Sequence, residues 1–315
     1  MDSQDRLQLL ATIADLYYVE KQSQAAIAEM YGYSRPTISR LIGEAQEKGL
    51  VEIRINYPLQ RMVEMEVALR ERFNLSFVNV ADRGSLDYGR MLRLIGRLAA
   101  AYFDRVENLE VIGVSWGTAV YEVVTSLQRR RLPHVRIVQM IGGIGGGASN
   151  TDGPEVARLF AHALGGQHTL LNAPLVVPDE QTRSVLMADR QMRDVLSLIG
   201  EADYALVGVG SLDVERSSLL RAGYLNRGEV DALLAQDIVG DICGVHFDSQ
   251  GRIPDIDINR RRIGVDLRAL ADSPCTIVAV AGGRVKAPAI LGALRGGLID
   301  VLITDSNAAE VILAG

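Results

Sequence analysis

From residue 75 onward the chain repeats one phrase: a short apolar run, a glycine at or near its end, then an amphipathic helix. The runs fall at 77–80, 110–113, 136–141, 204–208, 276–280 and 301–304, and helical periods at about 91–103, 118–128, 154–164, 180–200, 286–296 and 306–313. Runs that stay apolar on consecutive residues describe strands buried on both faces. Strand alternating with helix therefore predicts an α/β, Rossmann-like, mostly parallel sheet over residues 75–315. Ligands bind such sheets beyond the carboxyl ends of the strands, so the loops after the runs are where function is sought.

Four of those loops are unusual. Gly113-Val114-Ser115-Trp116-Gly117-Thr118 leads from a strand into a helix. Glycine there admits a ligand to the backbone, helix-start amides favour an anion such as phosphate, and Ser115 and Thr118 add donors. Gly142-Gly143-Ile144-Gly145-Gly146-Gly147, Gly208-Val209-Gly210-Ser211 and Gly282-Gly283-Arg284-Val285-Lys286 follow strands in the same way. One glycine loop proves little, because tight strand-to-helix turns need glycine anyway; four at corresponding places build one pocket. Lys286 adds to this. The chain holds thirty arginines and only three lysines, Lys21, Lys48 and Lys286. Keeping lysine at a glycine loop suggests that a compact ammonium is wanted, as against a phosphate. Gly113 to Gly117 also matches the G-x-S-x-G elbow of a serine hydrolase, which needs an acid and then a histidine near the end of the chain. The last histidine is His246, so a phosphate loop is the better reading.

Ahead of the sheet, residues 24–49 read as two short helices hinged at a glycine. Ala25, Ala26, Ile27 and Met30 suggest the apolar face of the first, and Gly32 ends it in the left-handed conformation. Ser34 caps the second, Pro36 fits its first turn, and Ile38, Leu41, Ile42 and Ala45 recur at helical spacing. The other face carries Arg35, Thr37, Ser39 and Arg40, side chains suited to phosphates and base edges. This pattern predicts a helix-turn-helix that reads double-stranded DNA with Ser34, Arg35, Thr37, Ser39 and Arg40. A preceding helix at about 5–19, with Leu10, Ile13, Ala14 and Tyr17 on one face, completes an all-α N-terminal domain over 1–57, and Val51, Ile53 and Ile55 suggest a closing strand. That segment has six Lys or Arg against eight Asp or Glu, a net charge of −2. Affinity for DNA must then come from local cations and from more than one copy, which points to a homo-oligomer. Residues 58–74 return to helical period with Met62, Met65, Leu69 and Phe73 on one stripe, either core against a neighbouring domain or a seam between copies.

The remaining features exclude more than they assign. No apolar stretch in the 315 residues is long enough to span a membrane, and the start is acidic and polar, so the protein is expected in the cytoplasm with no membrane partner. Cys243 and Cys275 read as small core residues in strand regions. His134, His162, His168 and His246 lack metal-ligand spacing, so no metal and no cofactor are expected. Arg129 to Arg131 and Arg260 to Arg262 read as solvated runs, His246 as a half-buried strand residue, and Asp248 to Gly251 as a hairpin turn.

Taken together, ADLYYVEKQSQAAIAEMYGYSRPTISRLI, VIGVSWGT, VGVGSL, GDICGVHFDSQGRI and VAVAGGRVKAPAILGALRGGLIDVLITD resemble the SorC family of bacterial sugar-responsive transcription regulators over essentially the whole chain. The resemblance implies a second domain similar to phosphosugar isomerases and deaminases that serves as a sensor of a phosphorylated sugar or polyol, in a dimer or tetramer. It places effector contacts at Ser115, Gly117 and Thr118, at Gly142 and Gly143, at Asp241 for sugar hydroxyls, and at Lys286 for the phosphate; Trp116, inside the same phosphate loop, is expected at the effector too. Some relatives carry a lysine in the loop matching 141–147; this chain has none, which argues against a Schiff base there. An active isomerase or deaminase is the rival. The corresponding loop, GVGSLDVERSS, offers Asp213 and Glu215 but no histidine, so catalysis is not expected.

Overall fold

The computed structural model describes residues 3–51, 61–107, 109–144 and 151–315, in two compact units, 1–58 and 59–315. The first unit holds α1 (Ser3–Tyr18), α2 (Gln24–Tyr31) and α3 (Arg35–Glu47) around Leu10, Ile13, Ile27, Ile38, Leu41 and Ala45. Ser23 caps α2 through the amide of Ala26, and Gly32 closes it at φ 67°. Met30, which is 59% exposed, departs from expectation, and Ala25 and Ala26 are exposed too. In a helix of two turns only one narrow face reaches the core, and Ile27, Ala28 and the half-buried Tyr31 fill it. Arg6 pairs with Glu44 at 2.6 Å and Gln46 donates to the Tyr18 hydroxyl at 2.8 Å, tying α1 to α3. Apart from Val51, the expected closing strand lies outside the described residues.

The second unit begins with α4 (Val63–Phe73), β1 (Phe77–Ala81), α5 (Tyr88–Phe103), β2 (Val111–Val114), α6 (Thr118–Ser126), β3 (Arg136–Gln139), α7 (Gly153–Leu164) and β4 (Gln167–Thr169). It continues through α8 (Glu180–Ala188), α9 (Arg190–Gly200), β5 (Tyr204–Gly208), β6 (Gly210–Ser211), α10 (Ser218–Arg221), α11 (Arg227–Leu234), β7 (Ile238–Ile242) and β8 (Val245–Asp248). Then follow α12 (Asp257–Arg260), α13 (Leu267–Ala271), β9 (Thr276–Val280), α14 (Ala287–Arg295), β10 (Val301–Asp305) and α15 (Ser306–Ala314). Seven strands pair in parallel in the order β1-β10-β9-β5-β2-β3-β4. Consecutive strand residues divide between two cores: Ile277 and Ala279 belong to the one with α4, α9, α14 and α15, while Val278 and Val280 belong to the one with α5, α6 and α7. That division is why the runs read as continuously apolar.

Several local features differ from the sequence reading. The helix expected over 180–200 is two, because the Asp189 carboxylate caps α9 through the amides of Gln191 and Met192. β6, β7 and β8 form a separate antiparallel sheet, rich in glycine and polar residues. Cys243 lies in the β7–β8 turn at φ 54°, followed by Gly244 at φ 69°, where two left-handed residues match the twist of a two-residue hairpin. Arg262, expected in solvent, is buried and donates to the carbonyls of Cys243, Gly264 and Val265. Burial pushes its pKa down to about 10. The Met62, Met65, Leu69, Phe73 stripe packs on its own unit's core. Beside it the buried Glu66 accepts from the Val80 amide at 2.9 Å and from Arg61.

Candidate functional site

Three of the four glycine loops meet. A narrow cleft, partly open to solvent, lies beyond the carboxyl ends of β2, β5 and β9. Ser115, Trp116, Gly117 and Thr118 line it together with Gly208 to Gly210, Asp241 and Lys286. The sequence explains each placement. Ser115 is pinned as β2 ends, with its amide donating to the Leu206 carbonyl at 3.0 Å and its hydroxyl accepting from the Gly208 amide at 3.4 Å. Gly117, at φ 134°, turns the chain into α6, whose first-turn amides lack intrahelical partners and face the cleft beside Thr118 and Ala119. The Trp116 indole N–H is buried without a hydrogen-bond partner. Gly210 is there because Asp241 is: a β-carbon at position 210 would lie 2.0 Å from the Asp241 carboxylate.

The charged groups are unequally matched. Lys286 donates to the Val209 carbonyl at 2.7 Å. It keeps some solvent-facing surface, yet the dense protein around its ammonium, together with Arg221 and Arg216, pushes its pKa down to about 8, and only Asp241 opposes them. Arg221 donates to the hydroxyl of Ser218, which lines the cleft, at 3.1 Å. Arg216 stacks over the Tyr88 ring, 4.0 Å from its centroid. Among the described residues neither arginine makes an ion pair with a carboxylate. Both escaped the sequence reading, since among thirty arginines nothing local marks these two.

The remaining expected contacts lie elsewhere. Gly142 and Gly143 are not in the cleft wall; their amides donate to the carbonyls of Ile263 and Ala173, and a β-carbon at 142 would meet the Pro174 carbonyl. Gly145 to Gly147 lie outside the described residues. Arg284 is exposed and pairs with Glu310 at 3.4 Å. In the first unit, Ser34 accepts from the Thr37 amide at 3.3 Å and shares a 2.8 Å hydrogen bond with its hydroxyl. Ser34, Arg35, Ser39 and Arg40 are exposed and Thr37 half-buried, opposite the inward Ile38, Leu41, Ile42 and Ala45.

A chain that carries both a capped helical hairpin and a cleft at strand ends has counterparts among known proteins. The Sugar-bind family, a sugar-binding domain, matches residues 57–314. The deoxyribonucleoside regulator of Bacillus subtilis (strain 168) is 36% identical over 310 residues, 98% of either chain. The sorbitol operon regulator of Klebsiella pneumoniae is 32% identical over 316 residues, 99% of this chain and all of that one. The crystal structure of full-length SorC from Klebsiella pneumoniae superposes with a TM-score of 0.74 at 31% identity, covering 98% of this chain and 99% of its own. The chain belongs to the SorC family of sugar-binding transcriptional regulators. This SorC-family chain is a DNA-binding regulator controlled by a sugar effector, and not an enzyme. No helix among the described residues is long and apolar enough to cross a membrane.

Proposed function

We propose that the effector is a phosphorylated sugar or polyol, that it fills the cleft between Ser115 and Lys286, and that its arrival changes the hold of a homo-oligomer, dimer or tetramer, on the operator of a carbohydrate-use operon. The observation that carries this is the charge imbalance: Arg216 and Arg221 add to the positive field on Lys286, and among the described residues that line the cleft Asp241 is the one carboxylate. A phosphate dianion answers the three cations and the α6 amides, and Asp241 accepts from hydroxyls of the carbon chain. The names of the relatives, a sorbitol operon regulator and a deoxyribonucleoside regulator, fit polyol- and sugar-derived effectors. On the DNA side, Arg35 and Arg40 with Ser34, Thr37 and Ser39 form the reading face, and two or more copies supply a useful site. Regulation then requires that the effector bind one arrangement of the reading heads more tightly than another.

Trp116 is the sole tryptophan and lines the cleft, so its fluorescence reports on occupancy. Titration with hexitol 6-phosphates and pentose 5-phosphates, beside their unphosphorylated forms, should give a saturable response to a phosphate ester that Lys286→Ala removes. A response to the free sugars alone, or none across the panel, would overturn the phosphate reading.

A further inference from the structure

His246 has no explained role. It is fully buried on β8, directly opposite Asp241 on β7. The pair is of the non-hydrogen-bonded kind, because the backbone N–H and carbonyl of His246 turn away from β7 to Asn259, at 2.8 and 3.0 Å. Side chains of such pairs lie side by side on one face at the closest approach an antiparallel ladder allows. Yet both ring nitrogens lack a hydrogen-bond partner. The Asn259 side chain and the Gly244 backbone come near the ring, and neither meets hydrogen-bonding geometry with it. Burial pushes the imidazole below its ordinary pKa, so at neutral pH it is uncharged, with one N–H to give. Leaving that donor unpaired in the core is a desolvation cost that an apolar residue there would avoid.

Asp241 presents the complementary need. Its Oδ2 accepts from the Gly244 amide at 3.1 Å, while Oδ1 lies against the bare Cα of Gly210. A carboxylate that must receive ligand hydroxyls has to be fixed in one rotamer, and a single backbone amide leaves it free to swing about that contact.

We propose that His246 is a positioning residue for Asp241: when a hydroxylated carbon chain fills the cleft, the imidazole N–H donates to the carboxylate and holds it in the rotamer that accepts the ligand's hydroxyls. The proposal rests on the sugar-phosphate reading and deepens it, since it makes recognition of hydroxyls separable from recognition of phosphate. His246 contributes only to the former.

The test is calorimetry on the full-length protein with a hexitol 6-phosphate, a deoxypentose 5-phosphate and inorganic phosphate. His246→Phe should weaken binding of the preferred ester about tenfold, the worth of one hydrogen bond to a charged group, and leave inorganic phosphate unchanged. His246→Gln, which returns an N–H, should recover most of the loss. Equal loss for ester and inorganic phosphate, or no loss for either, would overturn the proposal while the sugar-phosphate reading stands. Should the Phe variant not fold, ring-nitrogen NMR of the wild type decides: the ester, and not inorganic phosphate, should shift one His246 N–H into the hydrogen-bonded range, and an unmoved signal overturns the idea. If no ester binds the wild type, the sugar-phosphate reading falls and this proposal falls with it.

Discussion

The reading face of α3 and the effector cleft solve recognition in opposite ways. At the start of α3 every candidate residue falls between Ser34 and Arg40, all but the half-buried Thr37 are exposed, and among the described residues Arg35 and Arg40 make no ion pair. In the cleft the residues come from positions 115 to 286, all but the exposed Thr118 are partly or wholly buried, and Ser115, Asp241 and Lys286 are held by backbone. A local site of the first kind can lose one side chain and keep the others in place. A site assembled from distant loops depends on its supports as much as on its contacts.

Gly210 offers the hardest test of that contrast. Gly210→Val places a β-carbon into the Asp241 carboxylate, and at the ~3 kcal/mol upper range of overpacking costs effector affinity should fall about 100-fold while effector-free DNA binding persists. Isothermal titration beside an operator gel shift measures both. On α3, Arg40→Ala should cost about 1–3 kcal/mol of specific operator binding if the side chain reads a base, and an equal loss on random DNA would make it a phosphate contact. Proton dependence belongs to the cleft alone. Lys286 is charged below about pH 8, and a phosphate ester is mostly dianionic above about pH 6. Effector affinity should therefore be nearly level from about pH 6 to pH 7 and fall by roughly tenfold from pH 7 to pH 9. Its linkage to folding has the opposite sign. The folded pKa is lowered from 10.5 to about 8, so the unfolded chain holds more protons between those values, and this group's contribution to stability rises with pH across that window. The smallest effect is expected at Ser34→Ala, where loss of the cap should cost about 1 kcal/mol of local helix stability, seen as faster amide exchange in the first turn of α3.

The same contrast explains what the sequence disclosed. Ser34, Pro36 and the Ile38–Leu41–Ile42–Ala45 spacing carry α3 in one short stretch, and mainly apolar runs, interrupted in β1 by Asn79, carry β1, β2, β5, β9 and β10. β4, with the exposed or half-buried Gln167, His168 and Thr169, has no apolar signal. The small sheet of β6, β7 and β8 is equally hard to read, because Gly210, Gly240 and Asp241 are chosen for close approach and ligand contact over strand propensity. Long-range geometry hid the rest. Nothing near Gly142 in sequence tells that its neighbour is Pro174, and nothing near Arg262 tells that three carbonyls surround its guanidinium. Asp189 is different, since a capping carboxylate within MADRQM marks the break between α8 and α9.

The scarcity of lysine gives the cleft a chemical address. Besides the chain's α-amine only Lys21, Lys48 and Lys286 can be acylated, and Lys286, with its pKa brought down to about 8, carries far more free amine at mild alkalinity than an ordinary lysine side chain. A single-hit acylating reagent, read out by peptide mass, thus becomes a footprint of occupancy, protected when the cleft is filled and open when it is empty.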